Sequence, residues 1–155
     1  ADAWASGGAV GQEDAAMNDA PVTPDRPQQT LAHAARANPT YVAGRREFFK
    51  YRDLGVTAGS NGRMRAQVTI ASQGLGRPTG WHYHVCEQQF IYMLKGWVDL
   101  EFADGRKIRL EEGDSLMIPG GTPHNETGTA DELELLEISV PAEMKTVVCD
   151  KPDGA

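Results

Sequence analysis

The chain has 155 residues and a formal net charge of −7 at pH 7, which is enough for one domain with a single core and too little for two ordinary domains. Its longest basic cluster is the pair of arginines in residues 44–46, so the positive surface expected of a nucleic-acid-binding protein is missing. No apolar run approaches the roughly 20 residues that span a bilayer. We therefore expect neither a nucleic acid nor a membrane as partner.

The cysteine content and the amino terminus bear on the compartment. Cys86 and Cys149 are the two cysteines; they do not form a disulfide framework, and their spacing does not show whether they pair. The amino terminus lacks the basic and then apolar layout of an intact signal peptide. A reducing, cytoplasmic compartment is the resulting expectation, although a mature exported protein would have the same features.

Residues 1–29 are predicted to form a flexible amino-terminal arm. They are rich in Ala, Gly, Asp, Gln and Pro, without periodicity, and such a composition cannot bury enough apolar surface to offset the entropy lost on ordering. Met17 is a candidate for the native start, in which case residues 1–16 are an upstream extension.

The predicted domain covers residues 30–155 and begins with a short helix. In TLAHAARANP (30–39), Thr30 is a suitable N-cap residue, and Pro39 is a typical stop signal. His33 lies within this segment, and we expect it at the surface rather than in a ligand site.

From about residue 46 onward, the pattern is typical of β-strands. MRAQVTI (64–70) and WVDLEF (97–102) alternate apolar with polar residues, which is the period of a half-buried strand. Asp104-Gly105 is a hairpin signal between the second segment and a return strand. Further strands are predicted at 115–119, 132–140 and 144–149. Short strands joined by glycine-rich turns indicate an all-β fold, an antiparallel sandwich or barrel.

Three of the four histidines lie in two short segments of this β-rich region. His82 and His84 are separated by one residue in GWHYHVCEQQFIYMLKG (80–96), so both rings project from the same side of an extended chain and can share one metal ion. His124 follows a Gly/Pro turn in IPGGTPHNE and offers a third imidazole. A metal site is the favoured interpretation, and hydrogen-bonded core histidines are the alternative.

The two segments resemble the signature of the cupin superfamily, written G-x5-H-x-H-x(3,4)-E-x6-G and then G-x5-P-x-G-x2-H-x3-N. The resemblance implies a small jelly-roll barrel, also called a double-stranded β-helix, with one divalent metal bound inside by the motif histidines and acid. The residues that match the first motif (76–96) are Gly76, His82, His84 and Gly96, and those that match the second (113–128) are Gly113, Pro119, Gly121 and His124.

The chain departs from this signature at the acid of the first motif, where it has Gln89. We expect Gln89 to bind the metal through its amide oxygen; the alternatives are that it only forms hydrogen bonds, or that Glu87, two residues out of register, is the ligand. Three imidazoles and an amide are all neutral. Such a set would leave the full 2+ charge at the centre and favour an anionic substrate. Fe, Mn, Ni, Cu and Zn all suit such ligands.

The resemblance implies an enzyme that acts on a small, oxygen-rich or anionic organic substrate, of the dioxygenase, isomerase or lyase type. The rival class is a non-catalytic cupin that binds or senses a small molecule. The strand at 90–94 is apolar on both sides: Ile91 and Met93 would follow Gln89 inward, and the opposite side needs a cover. We therefore expect a homodimer.

Overall fold

The computed structural model describes residues 28–43 and 48–155, and its described part is almost entirely β-structure, as predicted. The predictions for residues 1–27, which include most of the arm and Met17, lie outside the described residues. No helix among the described residues has the length and apolar character needed to cross a membrane.

The strands form two antiparallel sheets with the connectivity of a jelly roll. A single short helix, α1 (Val56–Gly59), separates the second strand from the third. The six-stranded sheet has the order β1 (Thr40–Ala43), β2 (Phe49–Asp53), β3 (Arg65–Ala71), β10 (Leu133–Val140), β5 (Gln88–Lys95) and β8 (Ser115–Pro119). The five-stranded sheet has the order β11 (Lys145–Val148), β4 (His82–Val85), β9 (His124–Thr129), β6 (Trp97–Phe102) and β7 (Lys107–Glu111).

The apolar core lies between the two sheets. Met93 on β5 is fully buried, and Leu133 on β10 is nearly so. They pack in one cluster with Leu100 on β6 and Leu110 on β7 of the other sheet. The predicted strand at 97–102 is confirmed, because its apolar residues are buried while the residues between them are only partly so.

In β3, the alternation of apolar and polar residues does not show which side of the strand faces the interior. Its polar residues Arg65, Gln67 and Thr69 line the internal cavity, whereas Val68 and Ile70 lie on the opposite side of the sheet. An alternating pattern shows that a strand has two different sides. It does not show which side is inside when the interior contains a polar cavity.

The predicted helix at 30–39 is wrong. This segment is extended with a turn near residues 36–38, and its backbone groups have tertiary rather than helical partners. The Thr30 amide donates to the Gly59 carbonyl at 2.9 Å, and Arg52 donates to the Ala34 carbonyl at 3.3 Å. Tertiary contacts therefore override the local helix propensity. His33 is exposed, as expected.

Truncation of the most buried core side chain should destabilise the fold. Met93→Ala would leave a cavity between the sheets, and we expect a loss of about 2–5 kcal/mol in the free energy of unfolding, measured by urea denaturation. Leu31→Ala is the matched control, because Leu31 is fully exposed, and its loss should stay within about 0.5 kcal/mol. Equal stability of Met93→Ala and the parent would contradict the described packing.

Candidate metal centre

The three histidines of the two sequence motifs converge in the interior. His82 and His84 occupy alternate, buried positions on β4, and His124 begins β9 directly opposite His82. The ring centroids of His82 and His124 are 4.5 Å apart, and His84 lies 5.1 Å from each of them. One nitrogen from each ring lies within 4.8 Å of the others. The period of two along β4 therefore placed these side chains correctly.

Hydrogen bonds fix which nitrogen faces the centre in two of the three rings. His82 Nδ1 lies 2.8 Å from the Gly80 carbonyl oxygen, and His124 Nδ1 lies 2.9 Å from the Thr122 carbonyl oxygen. Because a carbonyl only accepts, each Nδ1 must donate, and in the neutral ring Nε2 keeps its lone pair. His84 Nδ1 lies 3.1 Å from the Thr146 hydroxyl, which can donate or accept and so orients the ring without setting its tautomer. This arrangement is typical of metal-binding histidines.

Gln89 lies on the wall of the same cavity, and its amide is oriented by a carboxylate. Gln89 is buried, and its Nε2 donates to Glu137 Oε2 at 2.9 Å. Its Oε1 is also buried and has no hydrogen-bond partner within the described part of the chain. Such an acceptor costs about 1–3 kcal/mol when it stays unsatisfied. Glu87, by contrast, is exposed in the turn between β4 and β5 and does not line the cavity.

Glu137 is held in place by three donors. Besides Gln89, Arg65 Nη2 donates to its Oε1 at 2.8 Å and Gln67 Nε2 at 3.1 Å. The Arg65 guanidinium balances the charge of this carboxylate. Arg65 and Glu137 both line the cavity, so the wall beside Gln89 is polar but neutral overall.

Glu126 is a site residue that the sequence analysis missed. Its Oε2 lies 3.6 Å from His82 Nε2, and its Oε1 lies 3.9 Å from His124 Nε2. The Thr79 hydroxyl donates to Oε2 and accepts from the Glu126 amide at 3.1 Å. The signal was present in the sequence, because Glu126 follows His124 by two positions and an extended strand brings such residues to one side.

The pKa shifts of Glu126 and His124 favour the forms of these two groups that bind a metal ion. Burial alone would raise the pKa of the Glu126 carboxyl group, but the facing imidazoles of His82 and His124 and the Thr79 hydroxyl hold its pKa below the ordinary value. Burial lowers the pKa of His124, although the hydrogen bond to Thr122 and the charge of Glu126 oppose this shift. Taken separately, the lowered pKa of His124 favours its neutral form and the lowered pKa of Glu126 favours the carboxylate, the forms in which these groups bind metals.

The carboxylate of Glu126 also corrects the expected charge of the centre. Gln89 and the three imidazoles, on which the expected 2+ charge was based, are all neutral. Glu126 faces two of those imidazoles, so an ion bound there would have one carboxylate charge beside it.

The centre opens onto a cavity large enough for a small organic molecule. The cavity has a volume of about 440 Å³, and His82, His84, Gln89 and Glu126 form part of its wall. Apolar side chains such as Ile91 complete the lining. Volumes of about 300–1,000 Å³ with a few convergent polar groups are typical of small-molecule sites.

Comparisons with known proteins agree with this architecture. The family model of the cupin domain matches residues 68–140. Among solved structures, KdgF from Halomonas sp. superposes with a TM-score of 0.60 over 74% of this chain and 96% of that one, at 18% identity. The polyketide cyclase RemF from Streptomyces resistomycificus gives 0.58 over 79% and 90%, at 21% identity. At these identities the likeness concerns the fold alone.

One curated relative shares more sequence over a shorter span. The 3-hydroxyanthranilate 3,4-dioxygenase of Scheffersomyces stipitis is 40% identical over 58 residues, which are 35% of this chain and 34% of that protein. The matched segment is thus about a third of the relative's length. Fold and site together define a small jelly-roll protein with a three-histidine centre. Residues 68–140, the part that the family model matches, belong to the cupin domain family.

The donor set fits a divalent metal ion. Each of the three imidazoles offers one nitrogen within 4.8 Å of the other two, and Gln89 Oε1 is a buried acceptor without a partner in the described residues. His82, His84 and His124 would hold the ion. No other group of three such ligands is found among residues 28–43 and 48–155.

Removal of one histidine should abolish metal binding. We expect near-stoichiometric metal in the purified parent and a sharp loss in His82→Ala, measured by elemental analysis. Metal should also raise the melting temperature of the parent, because it binds only the folded set of ligands. His33→Ala is the control, since His33 is exposed. An unchanged metal content in His82→Ala would rule out this centre.

Proposed function

We propose that this protein is a metal-dependent cupin enzyme that acts on a small, oxygen-rich or anionic organic substrate, with chemistry of the dioxygenase, isomerase or lyase type. The observation that carries the proposal is the set of three buried imidazoles that each bring one ring nitrogen within 4.8 Å of the others, two of which, His82 and His84, line a cavity of about 440 Å³. One divalent ion of Fe, Mn, Ni, Cu or Zn per chain matches this ligand set. When bound, such an ion supplies a Lewis acid that polarises substrate oxygens.

The residues of the cavity wall divide the remaining tasks. Arg65 lines the cavity and pairs with Glu137 at 2.8 Å, so the two together offer polar groups to a substrate without adding net charge to the wall. Gln89 would add its free amide oxygen to the metal ligands, while Glu137 keeps that oxygen turned away from itself. Apolar residues such as Ile91 and Leu135 exclude water around the carbon skeleton.

The relatives favour an enzyme over a binding module. A dioxygenase is 40% identical over a segment of 58 residues, and a polyketide cyclase shares the fold. A non-catalytic cupin that binds or senses a small molecule remains the second candidate, because a cavity and a metal would serve either role. Catalytic turnover of a substrate would distinguish an enzyme from a binding module.

The decisive experiment begins with the metal identified in protein purified without added metal. Oxygen uptake and product formation would then be followed with catechols, diketones and hydroxy acids. We expect metal-dependent turnover of at least one class and none by His84→Ala. Saturable binding without turnover across the panel would favour the binding module instead.

A charge exchange between Gln89 and Glu137 tests whether Gln89 is a ligand. Gln89→Glu alone would set two carboxylates against each other, because Gln89 Nε2 lies 2.9 Å from Glu137 Oε2. The double variant Gln89→Glu/Glu137→Gln restores a donor and an acceptor. Relative to the single variant Glu137→Gln, it should hold metal at least as tightly. It should also bind azide more weakly, by about 1–3 kcal/mol.

The single variant Glu137→Gln is the matched control, since both variants leave Arg65 without its carboxylate partner. Azide would be titrated against the spectroscopic signal of the metal. Equal azide affinity and equal metal content in the two variants would show that residue 89 neither binds the metal nor sets the charge of the centre.

We also propose that the protein forms a homodimer through the outer side of the six-stranded sheet. Phe90 and Tyr92 on β5 pair there with Met117 on β8 and Leu136 on β10, and paired residues share one side of a sheet. Val68 on β3 continues this apolar row. Met117 is 54% exposed and Tyr92 is 39% exposed, so a second copy of the chain would bury substantial apolar area.

The dimer is tested by light scattering at micromolar concentration. We expect the parent to have twice the mass of one chain, and Met117→Glu to shift the population toward monomer because it would bury a charge. Val85→Glu is the control, since Val85 is similarly exposed but belongs to the other sheet. A monomeric parent at tens of micromolar would contradict the proposal.

A further inference from the structure

We propose that Glu126 is a direct ligand of the metal, and that it supplies the carboxylate which the chain lacks at Gln89. The inference deepens the proposed function and rests on the metal centre formed by His82, His84 and His124. In the cupin signature that the sequence resembles, the acid stands in the first motif. Here the structure places a carboxylate at the centre from β9 instead.

The first argument concerns hydrogen-bond chemistry. His82 and His124 each give the Nδ1 proton to a backbone carbonyl, so their Nε2 atoms face inward as acceptors. The Glu126 carboxylate, which faces both of them, has acceptors only. Acceptors that face one another across 3.6 and 3.9 Å need a cation between them. One metal ion satisfies the whole group, whereas one proton satisfies a single pair.

The second argument is the spacing. Ligand atoms that lie about 2.0–2.1 Å from one ion are separated from each other by about 3.0–3.4 Å. The distances from the Glu126 oxygens to His82 Nε2 and His124 Nε2 exceed this range by only a few tenths of an ångström. Glu126 stands outside the set of ligand atoms that all lie within 4.8 Å of one another, so its side chain must turn toward His84 to bring an oxygen into the ligand shell.

The third argument is that hydrogen bonds hold the Glu126 carboxylate in place beside the imidazoles. The Thr79 hydroxyl donates to Glu126, and the neighbouring Gly80 amide donates to Asn125 Oδ1 at 2.9 Å. The Gly80 carbonyl in turn fixes His82. One short segment therefore orients both an imidazole and the carboxylate.

Glu126 also lacks a permanent counter-charge. Within residues 28–43 and 48–155, its ion-pair contacts are with the two imidazoles alone. Glu137, the other carboxylate of the wall, has Arg65 as its partner. The glutamate side chain is 26% exposed, which leaves it accessible to an ion that enters through the cavity.

The test measures the binding of Co²⁺ by the parent, Glu126→Gln, Glu101→Gln and His82→Ala. Glu101→Gln is the matched control: it also removes one carboxylate, of 27% exposure, but that group pairs with Lys107 and lies outside the cavity lining. We expect Glu126→Gln to weaken Co²⁺ binding at least about tenfold and to shift the visible absorption of the bound ion, because its ligand set changes. Glu101→Gln should change neither.

Two results would overturn the inference while the metal centre stands. One is an affinity for Co²⁺ in Glu126→Gln that equals the parent's. The other is a weaker affinity with an unchanged absorption spectrum, which would mean that Glu126 acts through its charge alone. A parent that binds no more Co²⁺ than His82→Ala would refute the metal centre itself, and the inference with it.

A second measurement does not depend on the folding of any variant. In a crystal structure of the Zn²⁺-loaded parent, a Glu126 oxygen should lie about 2.0–2.2 Å from the ion. A carboxylate that stays outside the ligand shell, with water in its place, would refute the assignment.

Discussion

Two backbone hydrogen bonds determine the chemistry of the centre. The carbonyls of Gly80 and Thr122 each take the one proton of a neutral imidazole, so His82 and His124 must present lone pairs to the interior. The other contacts of the site depend on this orientation of the two ring nitrogens. The jelly roll sets β4 beside β9, which brings the two rings together. Without those carbonyls, the same rings could satisfy each other by hydrogen bonds, and no cation would be needed.

The two carboxylates of the cavity differ because their partners differ. Glu137 is balanced by Arg65 and fixed by amides, so it can orient Gln89 without adding net charge to the wall. Glu126 faces only imidazoles in the described structure. A metal with a 2+ charge beside Glu126 would leave the centre with one excess positive charge. Under the proposed function, a singly charged anion in the cavity would then bring the site to neutrality.

The parts of the site that repeat with a strand's period could be predicted from the sequence. His82 and His84 were grouped by their spacing of two, whereas His124 was added because it follows a Gly/Pro turn and matches the second motif, and Gln89 because it stands at the acid position of the first. Glu126 was missed because β9 contains Asn, Gly and Thr and lacks the alternation of apolar and polar residues that predicts a strand. The helix expected at 30–39 failed for another reason, since its backbone groups bond to distant residues that no local pattern reveals.

The register between β4 and β9 has a mechanical consequence. The two strands are paired at a single position, His82 opposite His124, whereas β4 has four paired positions with β11 on its other side. Two further backbone hydrogen bonds, from the Gly121 amide to the His84 carbonyl and from the Thr79 amide to the Glu126 carbonyl, both at 2.9 Å, flank this pair, so the joint between the two halves of the five-stranded sheet is short. An ion shared by His82, His84 and His124 would link β4 to β9 across this joint. Loading and loss of the ion would then tighten and loosen the barrel wall itself, so that the occupancy of the centre and the rigidity of the substrate cavity would change together.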